Sequence, residues 1–356
     1  MSRAEFAGTM PVSDGQRFDD AALGRWLDAH MPGFAGLDRL EQFRGGQSNP
    51  TFLLTAADGS QYVLRKKPAG TLLPSAHAVD REFRVISALH GSPVPVARPL
   101  CLCSDASVIG TMFYVMEYAA GRNLWDPTLP GMTPSERRAL YDEMNRVMVA
   151  LHTLDYIAAG LGDYGKPGNY FARQVARWSG QYRASETERI EAMEKLLEWL
   201  PANIPPGEET ALVHGDYRLD NLIFDAGAPR MLAVVDWELS TLGAPLADFS
   251  YHVMVWRIPA GEAGGLNGLD LQALGIPSEA EYVATYCAGT GRPAIEPRVW
   301  EFCMAYNLFR IACIRQGIMK RALEGTAASR HAREAGAKAR PTAEFAWHQV
   351  EEHLGG

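Results

Sequence analysis

Two short runs of apolar and β-branched residues near the start of the chain predict β-strands. They cover Thr51 to Thr55 and Gln61 to Lys66, and Asp58-Gly59 lies between them. Because Asp-Gly favours the tight turn of a hairpin, the two strands are expected to pair in antiparallel fashion. A third run, Met112 to Tyr118, predicts another strand.

A helix is predicted between these strands. Phe83, Ile86 and Leu89 recur at helical spacing within the segment from Val79 to Leu89. The sequence His90-Gly91-Ser92-Pro93 follows, and its glycine and proline are expected to end the helix. The first third of the chain therefore predicts a small antiparallel sheet with one helix inserted.

After Gly121 the pattern becomes mainly helical. Three capping boxes, in which a hydroxyl residue and a later glutamate satisfy free backbone donors, predict helix starts at Thr133/Glu136, Ser185/Glu188 and Ser278/Glu281. The first of these helices has Pro134 at its first position. Its expected buried stripe consists of Leu140, Met144, Val147, Met148 and Leu151. A longer helix is expected from about Pro297 to Leu323.

Short strand-like runs interrupt this helical part of the chain. They are Ala211 to Val213, Leu222 to Phe224 and Met231 to Val235. The sheet-forming first third and the mainly helical remainder together predict the α+β class. Roughly two lobes are expected, because 356 residues exceed what one hydrophobic core usually supports.

Composition excludes several classes of protein. Hydrophobic residues make up 47% of the chain and charged residues 21%, which predicts packed cores rather than disorder. The formal charge of -8, without a long Lys/Arg block, argues against nucleic-acid binding through a broad basic surface. No apolar run approaches the roughly eighteen residues of a membrane span, and the first residues lack the apolar core of a signal peptide. We therefore expect a cytoplasmic protein with no nucleic-acid and no membrane partner.

The five cysteines are scattered and include no C-x-x-C pair. This spacing favours neither a zinc site nor a redox dithiol. Buried, reduced thiols are expected instead.

Candidate chemistry is concentrated on the connections between the later strands. His214-Gly215-Asp216 begins an H-x-D-x-x-x-x-N segment that ends at Asn221, and Asp236 follows one short hairpin later. Phosphoryl transfer needs a group that accepts or orients the proton of the attacking hydroxyl, and oxygen ligands for magnesium. Asp216 suits the first role, and Asn221 and Asp236 suit the second. The alternative for each of these residues is a polar turn, and His214 is expected to brace the loop by hydrogen bonding.

This segment resembles the catalytic and metal-binding loops of the aminoglycoside phosphotransferase and choline kinase family, which is distantly related to protein kinases. Gly215 stands where most protein kinases have arginine, and no A-P-E segment follows Asp236, so the small-molecule branch is the better match. The resemblance implies a protein-kinase-like two-lobed fold, with a small N-terminal antiparallel sheet and a larger, mostly helical C-terminal lobe. It also implies that ATP and Mg are the cofactors.

The same resemblance extends to the N-terminal part of the chain. Gly45, Gly46, Ser48 and Asn49 fall in the family's nucleotide-covering turn, although an ordinary turn would also explain them. Arg65 falls at the place of the phosphate-binding lysine, which leaves open whether Arg65 or Lys66 contacts the phosphates. Glu82 is similar to the glutamate that pairs with that lysine, and an exposed helix acid is the alternative.

Further along, backbone groups of Glu117 and Ala119 resemble the family's adenine-binding hinge. The implied domains are an N-terminal nucleotide-binding lobe at residues 1–116, a hinge at 117–121 and a catalytic, substrate-binding lobe at 122–356. Asp248 lies in a segment similar to the family's G-x-P-x-x-D, where it is expected to support the catalytic loop.

The substrate expectation comes from a narrower resemblance. The segments HGDYRLDNLIF, DWELSTLG and Asn307-Leu308-Phe309-Arg310 resemble the kinase-like domain associated with some acyl-CoA dehydrogenases. This resemblance implies that the substrate is a small molecule with a hydroxyl group, either a CoA-linked one, namely a hydroxyacyl-CoA, or a related hydroxy acid. Four basic residues of the last long helix could meet a CoA phosphate or form a solvated face: Arg310, Arg315, Lys320 and Arg321.

Two alternatives stay open. An aminoglycoside acceptor belongs to the same enzyme class, because acidic surfaces attract polycationic sugars. A non-catalytic, nucleotide-binding pseudokinase belongs to another class, but Asp216, Asn221 and Asp236 are all present. A serine hydrolase would need G-x-S-x-G, and a P-loop enzyme would need G-K-[ST] after its glycines; the chain has neither motif.

Overall fold

The computed structural model of the protein describes residues 8–44, 49–68, 78–261, 264–327 and 331–354. Its strands in chain order are β1 (Thr9–Met10), β2 (Leu37–Phe43), β3 (Thr51–Ala56), β4 (Gln61–Lys66), β5 (Pro99–Cys103), β6 (Phe113–Glu117), β7 (Arg122–Asn123), β8 (Ala211–Val213), β9 (Leu222–Phe224), β10 (Met231–Val234) and β11 (Thr241–Gly243). Its helices are α1 (Asp20–His30), α2 (Val79–Leu89), α3 (Pro134–His152), α4 (Tyr170–Ser185), α5 (Glu191–Ala202), α6 (Pro245–Val253), α7 (Leu271–Leu274), α8 (Glu279–Thr290), α9 (Pro297–Leu323), α10 (Ala332–Ala337) and α11 (Ala339–Leu354). Strands come first and helices dominate afterwards, which confirms the predicted α+β class.

The chain divides into two compact units that are not contiguous in sequence. The first unit runs to Leu129 and also contains Ile157–Leu161 and Leu219–Ser240. The second contains Pro130–Tyr156, Gly162–Arg218 and the chain from Thr241 onwards. The loop between β8 and β9 therefore begins in one unit and ends in the other.

A six-stranded antiparallel sheet, in the order β1-β2-β3-β4-β6-β5, forms the body of the first unit. The predicted β3–β4 hairpin is confirmed, with Thr51 opposite Arg65 and Thr55 opposite Gln61. Its turn contains Gly59 at a φ of 85°, in the left-handed region that glycine tolerates.

The two faces of this sheet pack against different helices. On one face, Phe52, Leu54 and Leu64 join a buried cluster with Leu23 and Leu27 of α1. Because side chains alternate along a strand, the neighbouring residues point to the opposite face, where α2 contacts β5 and β6. Helix α2 has the predicted bounds, whereas α1 is a second helix of this unit that the sequence pattern did not indicate.

The second unit confirms two of the three predicted capping boxes. Thr133 and Glu136 cap α3, and Ser278 and Glu281 cap α8, each pair with both reciprocal hydrogen bonds. The predicted stripe of α3 is buried: Leu140, Met144, Val147, Met148 and Leu151.

The box predicted at Ser185 and Glu188 is wrong. Ser185 is the last residue of α4, and its Oγ donates to the carbonyl of Gln181 at 2.8 Å, while α5 begins at Glu191. An N-cap needs extended backbone, and Ser185 has helical backbone because α4 runs through it.

The later strands form two separate small sheets. β9 and β10 pair as the predicted hairpin and extend to β7, in the order β10-β9-β7. β8 does not join them; it pairs with β11, which places Val213 opposite Thr241.

Helix α9 lies across the second unit and has the predicted bounds. It packs against α4, α6, α10 and α11. Asn307, fully buried on α9, donates from Nδ2 to the carbonyl of Ala247 at 2.9 Å and to Ser250 Oγ at 2.8 Å. These bonds fix α6, the helix that reaches the candidate chemistry.

The cysteines agree with the sequence-based expectation. All five are free thiols, with Cys101 partly buried and Cys103, Cys287, Cys303 and Cys313 buried. Among the described helices, none has both the length and the apolar character that crossing a bilayer requires.

We predict that His252 on α6 makes stability depend on pH. Its Nε2 lies 2.8 Å from the hydroxyl of Tyr282, and burial lowers the pKa of His252 to about 4. In the unfolded chain an imidazole titrates near 6.5, so between pH 6.5 and 4 the unfolded state binds a proton that the folded state does not. The stability that His252 contributes is complete above pH 6.5 and is lost as the pH falls towards 4.

The measurement is the free energy of unfolding in urea, for the wild type and for His252→Gln, which keeps a hydrogen-bonding group. The wild type should lose about 2 kcal/mol more than the variant on going from pH 7 to pH 4.5. Equal losses in the two proteins would contradict the prediction.

Candidate functional site

The backbone that follows β8 is held by one buried carboxylate. Asp248, in the first turn of α6, accepts the N–H of His214 at Oδ2 (2.7 Å) and the N–H of Gly215 at Oδ1 (2.8 Å). Burial by itself would raise the pKa of Asp248, but the hydrogen bond and charge of His152 and the contacts of His214 lower it. The predicted supporting role of Asp248 is confirmed.

His214 and Gly215 each meet a local requirement of this loop. His214 Nδ1 accepts the N–H of Asp216 at 3.2 Å, which confirms that His214 braces the loop. Gly215 has a φ of 83°, in the left-handed region where a side chain would be strained. This conformation gives a physical reason for glycine at the position where most protein kinases have arginine.

Asp216 follows on the same loop and is 21% exposed. Its Oδ1 accepts a hydrogen bond from the Tyr251 hydroxyl at 2.6 Å. Its Oδ2 lies 3.5 Å from Arg218 Nε. Sequence reasoning missed Tyr251 and Arg218; the spacing of Tyr251, one helical turn after Asp248 on α6, is the signal that could have found it.

Arg310 of α9 lies behind this loop. It is buried and donates from Nη2 to the carbonyl of Gly215 at 2.7 Å, and its guanidinium lies 5.0 Å from the centre of the Tyr251 ring. The solvated-face interpretation is therefore wrong for Arg310. Arg315 also bonds within the protein, to Thr342 Oγ1.

A second polar cluster lies in the first unit, on the α2 face of the six-stranded sheet. Arg65 Nε is 2.9 Å from Glu82 Oε2, and Arg65 Nη2 is 2.9 Å from Asp236 Oδ1. Glu82 also accepts from the Tyr114 hydroxyl at 3.0 Å and from Asn49 Nδ2 at 2.5 Å. Burial would lower the pKa of Arg65, but the charges of Glu82, Tyr114 and Asp236 and the hydrogen bond to Glu82 together outweigh it, and the pKa is raised.

Arg65 and its neighbour Lys66 point in opposite directions because they are consecutive residues of β4. Lys66 Nζ lies 5.6 Å from the ring centre of Phe18 and 5.8 Å from that of Phe52, on the α1 face. Arg65 is therefore the residue that meets Glu82 and Asp236.

Asp236 and Asn221 flank the β9–β10 hairpin of the first unit. Asp236 has a φ of 67°, an uncommon value for a residue with a side chain, and its side chain is 34% exposed. The carbonyl of Asn221 accepts the N–H of Val235 at 2.9 Å, which ties the turn after β10 to the start of β9. Such local strain is typical of functional positions.

These two residues offer the oxygen donors that magnesium prefers, a carboxylate and an amide carbonyl. Among the described residues, no group of three or more His, Cys, Asp or Glu side chains could hold a metal ion. Magnesium usually takes one or two protein ligands together with water and substrate phosphates, so a carboxylate and an amide would be enough to hold it. The residues present are therefore compatible with the ion.

Only some of the other residues predicted to bind the nucleotide belong to the part of the chain that the structure describes. Gly45, Gly46 and Ser48 lie outside the described residues. At the end of β6, the N–H of Glu117 donates to the carbonyl of Arg98 at 2.9 Å. The adenine-binding roles of Glu117 and Ala119 stay predictions.

Comparison with known proteins gives a family. The model of the phosphotransferase enzyme family matches residues 39–302. A candidate aminoglycoside phosphotransferase from Ralstonia eutropha, of known crystal structure, is 55% identical over 94% of this chain and 99% of its own, with a TM-score of 0.86.

One further relative by sequence and one by structure are also similar to this chain. Acyl-CoA dehydrogenase family member 10 of Mus musculus is 47% identical over 95% of this chain, and the match spans 32% of the mouse protein. Spectinomycin phosphotransferase, whose structure holds ADP and spectinomycin, has a TM-score of 0.63 at 13% identity over 94% of this chain and 100% of its own, so it shows the fold alone. The chain belongs to the phosphotransferase enzyme family and has the protein-kinase-like fold of the aminoglycoside phosphotransferases.

Proposed function

We propose that this protein is an ATP- and magnesium-dependent phosphotransferase that phosphorylates a hydroxyl group of a small molecule. The observation that carries the proposal is the loop from His214 to Asn221. Its backbone is fixed by Asp248, and Asp216 projects from it with a partly exposed carboxylate. A positioned acid or base next to metal-binding oxygens is what phosphoryl transfer requires of a protein.

Asp216 is proposed to act on the acceptor hydroxyl. The acceptor oxygen forms a bond to the γ-phosphorus of ATP, and the bond from this phosphorus to the β–γ bridging oxygen breaks. The bonding electron pair leaves with ADP, and the hydroxyl proton goes to Asp216. Asn221 comes five positions after Asp216, so the chain keeps their Cα atoms within about 18 Å of each other.

Asn221 and Asp236 are proposed to hold the magnesium ion through their side-chain oxygens. When bound, the ion would neutralise charge on the phosphates. Arg65 is proposed to donate to phosphate oxygens. Its planar set of N–H groups suits a phosphate, and the ion pair between its Nε and Glu82 keeps the guanidinium in place. The ADP found in the spectinomycin phosphotransferase supports a nucleotide in this fold.

Residues 117–121 are proposed as the hinge between a nucleotide-binding lobe, 1–116, and a catalytic lobe, 122–356. The adenine would pair with the carbonyl of Glu117 and the N–H of Ala119. Asn49 would act indirectly, because its amide holds Glu82. Gly45, Gly46 and Ser48 are proposed to cover the phosphates.

The acceptor is proposed to be a hydroxyacyl-CoA or a related hydroxy acid. The mouse relative carries an acyl-CoA dehydrogenase name, which supports a CoA-linked substrate. Arg218 lies beside Asp216 and Arg310 behind it, so the nearest described cations favour an anionic acceptor.

An aminoglycoside is the second candidate acceptor, because the Ralstonia relative is described as a candidate aminoglycoside phosphotransferase. A polycation approaching Asp216 would meet the positive charge of Arg218, which disfavours it. A phosphate-transfer screen with γ-labelled ATP tests the proposal against four acceptor groups: hydroxyacyl-CoAs, hydroxy acids, choline-like alcohols and aminoglycosides. ATP binding without transfer to any acceptor would favour the pseudokinase alternative.

We predict that Asp216→Asn lowers turnover by roughly two orders of magnitude or more, because the amide cannot accept the proton. ATP affinity, measured by calorimetry, should stay within about twofold, since the substitution preserves side-chain size. Asp142→Asn on α3, where the carboxylate pairs with Arg138, is the matched control and should keep wild-type turnover. Unchanged turnover in Asp216→Asn would reject the mechanism.

We also predict that Asp236→Ala weakens ATP binding in the presence of magnesium by about tenfold or more, the scale of one lost charge-assisted contact. Without magnesium, ATP affinity should not fall, because the substitution removes a negative charge. Asp225→Asn, in the same hairpin but bonded to Arg230, serves as the control. Calorimetric titrations that give the same magnesium dependence for wild type and Asp236→Ala would contradict this assignment.

A further inference from the structure

Helix α6 presents two polar side chains to the loop that carries Asp216. Asp248 and Tyr251 are three residues apart, so they lie on one face of the helix. Asp248 binds the loop backbone at His214 and Gly215. Tyr251 binds the side chain of Asp216, with its hydroxyl 2.6 Å from Oδ1.

The Tyr251 ring is itself held. Arg310 places its guanidinium 5.0 Å from the centre of that ring, while its Nη2 donates to the Gly215 carbonyl at 2.7 Å. The guanidinium also lies 5.7 Å from the centre of the Trp178 ring. One buried cation therefore fixes both the loop backbone and the ring whose hydroxyl reaches Asp216.

The hydroxyl of Tyr251 is a donor in this contact. Burial, and next the charge of Asp216, raise the pKa of Tyr251, so the phenol stays protonated at neutral pH. Asp216 is also near Arg218, whose Nε lies 3.5 Å from Oδ2, and His214, whose Nδ1 accepts the Asp216 N–H. The positive charge of Arg310 acts on Asp216 as well.

We infer that Tyr251 is a positioning residue for Asp216: its hydroxyl, placed by Arg310, holds Oδ1 so that Oδ2 takes the proton of the acceptor hydroxyl. The inference rests on the proposed function, since it concerns the same reaction. It assigns Tyr251 no contact with the substrate. A phenylalanine would keep the packing of the ring against Arg310 and lose the bond to Asp216.

The test combines Tyr251→Phe with Asp216→Asn in a double-mutant cycle. Turnover and KM are measured with γ-labelled ATP and two acceptors: hydroxybutyryl-CoA, and water, which reports ATP hydrolysis. Tyr282→Phe is the matched control. It also removes one buried hydroxyl, which belongs to α8 and lies 2.8 Å from His252 Nε2 rather than beside Asp216.

We expect Tyr251→Phe to lower kcat by about tenfold with KM for ATP within about twofold, because binding is untouched and only the proton acceptor is misplaced. In the Asp216→Asn background the same substitution should cause no further loss, because the two residues act as one unit. Tyr282→Phe should keep wild-type kcat in both backgrounds.

Three results would overturn the inference: no loss in Tyr251→Phe, an equal loss with and without Asp216, or a loss as large in Tyr282→Phe. An equal loss would mean that Tyr251 serves the fold in general. If the wild type neither transfers nor hydrolyses, the proposed function fails and the inference fails with it. If the wild type is active and Tyr251→Phe equals it, the inference alone fails.

Discussion

The burial of the Asp248 carboxylate is the constraint on which the candidate chemistry depends. A buried charge is stable only when donors surround it, and here they are two consecutive backbone amides and His152. Each amide left unpaired would cost about 1–3 kcal/mol, so the carboxylate and the loop fix one another. Gly215 then takes a φ of 83°, so the chain changes direction directly after the two bound amides.

Helix α9 extends this constraint within the second unit. It is buried along much of its length, and its buried polar residues include Asn307 and Arg310. Asn307 fixes α6 through Ala247 and Ser250, and Arg310 fixes the loop through Gly215. Polar residues placed in this way specify one packing of α6 against the loop, which nonpolar contacts alone would leave less sharply defined.

The elements that the sequence predicted well carry their signals locally. The Asp58-Gly59 turn, the capping box at Thr133 and the apolar spacing of α2 are each complete within a few residues. The elements that it missed depend on distant partners. β8 pairs with β11 rather than with its neighbours in sequence, and Ser185 belongs to a helix whose start lies fifteen residues earlier.

The same division applies to the site. Asp216, Asn221, Asp236 and Asp248 could be named because one motif and one short segment contain them. Their partners could not, since Arg310 lies 95 positions from Gly215 and Arg65 lies 171 from Asp236. No local pattern encodes a contact across such a separation. Strand alternation places Arg65 and Lys66 on opposite faces of the sheet but does not say which face contacts Glu82 and Asp236. The neighbours of each face had to be known before the two residues could be distinguished.

Arginine at position 65 also changes the chemical reactivity of the proposed phosphate contact. A lysine at this place would carry an amine that electrophiles can acylate, whereas a guanidinium stays protonated and is a poor nucleophile. The adjacent amine, on Lys66, is packed against Phe18 and Phe52 on the opposite face of the sheet. Nucleotide reagents that label kinases by acylating a lysine amine would therefore have no target at position 65.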